Sequence, residues 1–422
     1  MTLTAPAEPG LDAGLGLNAG LDPARLDRWE THLKTRYLDT GILPNALTLV
    51  YHRGQVVHQR VQGLADVEAG TPLRDDHIFR IYSMTKPITS LAFMMLVEEG
   101  LTALSDPVSS VLPEWANLGV WTGGTHGNFT GEAPRRPMQM VDLLRHTSGL
   151  SYHIQQGGHV DSAYRDLGLG VKTTLPEFVA ALADLPLEHE PGAHWHYSAA
   201  TDVLGYVIER LSGQPFEDFV QERILTPLGM HDTGFHVPAE KLDRFMPCYA
   251  LTGQGRVLFD PAAGRFARPP HFVSGGGGLV STAADYLRLC RLFLRGGELD
   301  GTRLISPKTM ELMTRNHLPG GADIARMALS PIAVSETSAA GVGFGLGFAV
   351  TLDPVRTLRA GNAGDYSWGG AAGTYFWIDP VEDLAVIFMT QLLLSPDRVR
   401  DDLRTFVYAA LTDTPTRPRS LA

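Results

Sequence analysis

The chain has 422 residues, 44% of them hydrophobic and 19% charged, a globular composition too long for one small core and unlike a disordered or fibrous chain. A net charge of −11 opposes phosphate binding, so nucleic acid is excluded as a partner. No run reaches the roughly 18 to 20 uninterrupted apolar residues of a membrane span, so no membrane partner is expected.

Residues 1–21 are rich in Gly, Ala, Pro and Leu without a period and read as a loose lead-in. They lack the positive and apolar regions of a secretory leader. Cys248 and Cys290 form no Cys-x-x-Cys pattern and read as free thiols of a reducing compartment, so a cytoplasmic location is expected. Asp22-Pro23 reads as N-cap and first helical position, and Leu26, Trp29, Leu33 and Tyr37 follow at helical spacing. The runs 46–51 and 55–62, split by His52-Arg53-Gly54, predict a hairpin. An apolar helix over 88–99 ends at Gly100.

From 101 to 275 the texture changes. Helical stretches (138–145, 175–183, 201–212 and 216–224) are separated by long loops such as 121–137. Gly275 to Gly278 marks a tight passage before a helix over 282–294. The last third predicts strands over 344–352, 373–378 and 384–391, a turn at 379–383, and a helix to 411 capped by Ser395-Pro396. This order predicts an α/β (α+β) fold, an antiparallel sheet flanked by terminal helices and built from 22–100 and 276–422. An inserted, mostly helical domain over 101–275 completes it.

Three short segments carry reactive groups. In Ser83-Met84-Thr85-Lys86 a helical turn puts the serine hydroxyl and the lysine amine on one face. Serine attacks only once a base takes its proton, and lysine serves as that base when its surroundings lower its pKa. Alone, the tetrapeptide reads more simply as a capped helix start with a surface lysine. The apolar flanks 79–82 and 87–91 instead bury it. Tyr197, in Tyr197-Ser198-Ala199, is alone a core plug; near a lysine its phenol becomes a proton shuttle. Trp368-Gly369-Gly370-Ala371 is alone a bulge entering a strand.

Together and in this order, the three resemble the serine β-lactamase and penicillin-binding-protein superfamily, most closely the class C β-lactamase-like esterases called family VIII carboxylesterases. The resemblance runs from about 22 to 411 and includes the segments 143–150, Pro191-Gly192 and 275–282. It implies a β-lactamase-like fold, Ser83 as nucleophile, Lys86 as base and Tyr197 as proton carrier. The backbone N–H groups of Ser83 and Ala371 would form the oxyanion hole. Trp368, Gly369, Gly370, Tyr82 and His196 would line the substrate pocket. No cofactor or metal is implied. His194-x-His196 has no third ligand at a recognisable spacing. Asp142, His146 and Ser148 read as framework. No Gly-x-Ser-x-Gly elbow is present.

Two departures from the β-lactamase pattern shift the expected substrate. Ala199 stands where those enzymes carry an asparagine that holds an acylamino group. Trp368 stands where they carry a lysine that meets a carboxylate. Both favour a small-molecule ester over a β-lactam. The expectation is therefore a serine carboxylesterase acting on short-chain or small aromatic esters through an acyl-enzyme. The alternatives are a β-lactamase, D-aminopeptidase or D,D-peptidase-like amide hydrolase, or a non-catalytic relative.

Overall fold

Asp22 opens the first helix as its spacing predicts. Its carboxylate accepts the Ala24 N–H at 2.9 Å, and Pro23 takes the first helical position. The computed structural model describes residues 20–154, 158–168, 172–329 and 340–413. The expected lead-in therefore lies outside the described residues, apart from Gly20 and Leu21. Leu21 is buried and bridges to Leu411.

Five helices frame the molecule: α1 (Pro23–Leu33), α2 (Lys86–Glu98), α3 (Ala200–Ser212), α4 (Ala283–Leu294) and α5 (Arg398–Ala410). Between them runs an eight-stranded antiparallel sheet. Its strands are β1 (Asn45–His52), β2 (Gln55–Asp66), β3 (Thr71–Pro72), β4 (Val342–Phe344), β5 (Ala349–Thr351), β6 (Tyr366–Gly369), β7 (Tyr375–Asp379) and β8 (Leu384–Met389). Their spatial order is β4-β5-β6-β7-β8-β1-β2-β3. The two ends of the chain meet where β1 pairs with β8, Leu47 opposite Met389 and Val50 opposite Val386.

The period of two along the central strands makes two cores. Val50, Trp377, Val386 and Phe388 pack under α1 and α5, where the Trp29 indole donates to Thr48 Oγ1 at 2.9 Å. Leu47, Leu49, Phe376 and Ile387 face the opposite way, onto α2 and α4. Each such fully buried side chain contributes about 1.5–3 kcal/mol of transfer free energy. That second core encloses α2: from Lys86 to Leu96 every residue of the helix is buried.

Several expectations are corrected by the structure. The loop over 121–137 contains a small hairpin, Val120–Gly123 paired with Thr130–Glu132. The single strand over 344–352 is two, because Gly347 turns the chain with φ 97° and lets β4 pair with β5. Trp368 and Gly369 close their own strand β6, and the next begins only at Tyr375. The last helix starts after Asp397, not at Ser395-Pro396, and no side-chain cap closes its N-terminus. The helix over 216–224 keeps α geometry only through Val220 and then widens over Gln221–Leu225. A hairpin, Cys248–Thr252 with Gly255–Asp260, was not expected; Leu392–Leu393 adds to it in parallel.

Candidate active site

Ser83 sits in the 3-10 turn Tyr82–Thr85, which runs directly into α2. The N-terminal end of the helix dipole makes the position electropositive. Tyr82 is left-handed, with φ 42°, a costly conformation for a non-glycine residue. One turn on, Lys86 is 1% exposed. Its Nζ donates to Ser83 Oγ at 3.4 Å and to the Gly276 carbonyl at 2.7 Å. The Tyr197 hydroxyl donates to the same Ser83 oxygen at 2.8 Å. Three groups that lie up to 114 residues apart in sequence thus meet on one hydroxyl.

The loop carrying Gly276 is clamped to α2. Thr89 Oγ1 donates to the Gly275 carbonyl at 2.7 Å, and the Leu279 N–H donates to Thr85 Oγ1 at 3.1 Å. From α3, Asp202 accepts the Gly276 N–H at 2.9 Å and the Ser274 hydroxyl at 2.5 Å. A Cβ on Gly276 would stand 2.8 Å from the Asp202 carboxylate, so a side chain there would push that carboxylate aside.

Tyr197 is held by backbone and by rings. The N–H groups of Trp195, His196 and Ala199 donate to the carbonyls of Met327 (2.8 Å), His146 (2.9 Å) and Ser151 (3.0 Å). The phenol ring lies 4.8 Å from His146, 5.7 Å from Trp368, 5.9 Å from Tyr152 and 6.2 Å from Trp195. Lys86 Nζ lies 4.6 Å from the Tyr197 ring centroid and 5.8 Å from that of Tyr152. Burial pushes His146 well below the usual histidine range, with Lys86 and His196 adding to it, so its imidazole is neutral beside the lysine. Burial raises Tyr152 well above the usual tyrosine range.

The remaining expected residues are distributed as follows. Gly370 packs against the Ile81 carbonyl and Thr374 Oγ1 so closely that a Cβ would overlap both. This draws the turn closed by Gly373 N–H to Gly370 O (3.0 Å) toward the Ser83 turn, with Ala371 exposed at its second position. Trp368 does not offer an open face. It is 1% exposed and packs on Phe344 at 5.3 Å, so it reaches the site by supporting Tyr197 from behind. Tyr82 is buried in a separate apolar cluster with Val237, Phe245 and Phe266. His196 alternates with Tyr197 along its segment and lies 6.1 Å from His189, while Trp195 stacks on Tyr197. Its ring belongs to a histidine cluster rather than beside Ser83. Among the described residues no group of three or more His, Cys, Asp or Glu is placed to hold a metal ion.

Asp142 is a framework residue, as its sequence context suggests. It accepts two bonds from Arg136 (2.7 and 2.9 Å), one from Arg145 (2.9 Å) and one from Thr147 (2.8 Å). Burial alone would raise its carboxyl, but these partners and the Gln139 N–H hold it below the usual range. Sequence reasoning missed Tyr152, Thr89 and Asp202 as parts of the site. Asp202 stands in the first turn of α3, where an acidic residue is explained by the helix dipole alone.

Comparisons with known proteins give the family. The β-lactamase family model matches residues 26–410. Esterase EstB of Burkholderia gladioli is 34% identical over 399 residues, covering 89% of this chain and 91% of that protein. An uncharacterized protein of Mycobacterium tuberculosis is 38% identical over 356 residues, covering 84% and 87%. The solved structure of EstCE1, described as a hydrolase with promiscuous acyltransferase activity, superposes with a TM-score of 0.77 at 26% identity, covering 91% and 99%. No helix among the described residues is long and apolar enough to cross a membrane. The chain belongs to the β-lactamase family, within its family VIII esterase-like branch, and is a serine hydrolase with a β-lactamase-like fold.

Proposed function

We propose that the chain is a carboxylesterase that cleaves short-chain or small aromatic esters through an acyl-enzyme on Ser83. The observation that carries this reading is the convergence of Lys86 Nζ and Tyr197 OH on Ser83 Oγ. Ser83 Oγ attacks the ester carbonyl carbon and its proton passes to Lys86. The tetrahedral oxyanion lies between the backbone N–H groups of Ser83 and Ala371, each such donor contributing roughly 3–4 kcal/mol. As the C–O bond breaks, Tyr197 protonates the departing alcohol and is reprotonated from Lys86. A water then gives its proton through the same pair, attacks the acyl carbon and frees Ser83.

Esters are favoured by what the site lacks. Ala199 is 1% exposed and carries no amide, and Trp368 brings no charge. Esterase EstB is a relative over nearly its whole length, which supports the same choice. The partner is a small-molecule ester, with no cofactor required. The test is incubation with a fluorophosphonate followed by peptide mass spectrometry. Labelling of Ser83, together with loss of 4-nitrophenyl acetate turnover in Ser83→Ala, is the expected result. Label on another residue, or turnover retained in the variant, removes the assignment.

A further inference from the structure

An exposed guanidinium rests on the ring of the residue that precedes Ser83. Arg265 opens the short turn Arg265–Ala267, with its charged group 5.7 Å from the ring centroid of Tyr82, the residue before the nucleophile, and 4.6 Å from that of Phe266. The turn is fixed from beneath. Phe266 is buried, lies edge-on to Tyr82 at 5.9 Å, and its carbonyl accepts the Val237 N–H at 2.8 Å. The strand leading into it is gripped by fully buried Arg80, which reaches the Asp260 carboxylate at 2.9 Å and the Pro261 carbonyl at 2.9 Å.

Among the described residues most arginines are engaged by carboxylates. Among the described residues no hydrogen bond or ion pair engages Arg265. Its charge nevertheless bears on three titratable side chains. Burial dominates the upward shift of Tyr82 and Tyr152, and Arg265 opposes it at both; it adds to the burial that lowers His153. Tyr152 is packed against Tyr197. A planar guanidinium resting on two aromatic rings keeps its outer fork free for a carboxylate, the geometry to which arginine is suited.

We propose that Arg265 is a specificity-determining residue that binds a carboxylate carried by the ester substrate several atoms from the scissile carbonyl. The charge absent at Trp368 is thereby supplied from a different loop. This rests on the ester-hydrolase reading above and adds the substrate's charge class to it.

The test compares two matched pairs of esters on the intact protein. One is 4-nitrophenyl monoadipate against 4-nitrophenyl methyl adipate, with the charge in the acyl part. The other is 4-acetoxybenzoate against methyl 4-acetoxybenzoate, with the charge in the leaving group. The expected result is an anionic-to-neutral ratio of kcat/KM that falls about tenfold in Arg265→Gln for at least one pair and further in Arg265→Glu. Arg265→Lys should recover part of it, and the wild-type ratio should fall with added salt. Ratios within about twofold of wild type in both pairs overturn the role of Arg265. Failure of wild type to cleave any of the four esters overturns the ester reading itself, so the two failures are distinguishable.

Discussion

Asp202 holds Gly276, and through it Lys86: the carboxylate accepts the Gly276 N–H at 2.9 Å, while the carbonyl of the same glycine accepts the lysine Nζ–H at 2.7 Å. A residue on α3 thus sets the position of an amine on α2 without touching it. Removing the carboxylate in Asp202→Ala deletes two charge-assisted bonds, each worth roughly 1.5–3 kcal/mol. The expected loss of stability is about 2–4 kcal/mol in denaturant melts. The rate of fluorophosphonate labelling at Ser83 should fall about tenfold or more, because Lys86 loses its anchor. Labelling at the wild-type rate in a folded variant would show that the Gly276 loop does not govern Lys86.

Lys86→Ala and Tyr197→Phe should each lower kcat by roughly two to four orders of magnitude, the usual contribution of a positioned acid or base. Their effects should not multiply in the double variant, since both act on Ser83 Oγ. Tyr197→Phe is the cleaner probe. It keeps the ring among His146, Trp195 and Trp368 and deletes the 2.8 Å bond to Ser83, so its melting temperature should stay within a few degrees. Single effects that simply multiply would mean the two residues serve separate steps.

What was legible in sequence was local. The Asp22-Pro23 cap, the helix through 88–99 and the spacing of Ser83 and Lys86 all depend on neighbours within about a turn, and the structure shows each. The hairpin Cys248–Thr252 with Gly255–Asp260 escaped because its second strand leaves Val257, Leu258 and Phe259 exposed, without the alternation that marks a half-buried strand. Strand β6 was hidden by its length of four residues and the glycines that follow. Tyr152 and Asp202 join the site only through contacts with residues far away in sequence, which no local period encodes. The resemblance ordered the three motifs correctly. It could not show that the Trp368 indole is buried behind Tyr197 rather than open to substrate.

Gly370 gives a separate test of the oxyanion turn. A methyl group there would overlap the Ile81 carbonyl and Thr374 Oγ1, forcing the Gly370–Gly373 turn away from the Ser83 turn. Gly370→Ala should therefore reduce kcat for 4-nitrophenyl acetate by about 10²-fold or more while KM changes little, because the displaced Ala371 N–H acts in the transition state. A variant that raises KM and spares kcat would assign the turn to substrate binding instead.

The buried histidines set the acid limit of the fold. Burial lowers His189 and His196 to about 4, and lowers His146 well below the usual histidine range with help from Lys86 and His196. Nε2 of both His189 and His196 is buried without a hydrogen-bond partner, so neither ring has a group waiting to receive an added proton. Each stays neutral when folded and takes up a proton near its ordinary value of 6.5 when unfolded. Below that value the unfolded state binds more protons, so stability falls with pH from about 6.5 toward about 4 and is fully present above 6.5. Glu188, raised by burial with Asp161 adding to it, works with the opposite sign and does not produce this loss. His196→Asn should reduce the proton uptake on unfolding near pH 5 by close to about one proton, read from the slope of unfolding free energy against pH. An unchanged slope would mean that His196 is already protonated in the folded protein, which its unpartnered Nε2 and its neighbours His189 and His194 oppose.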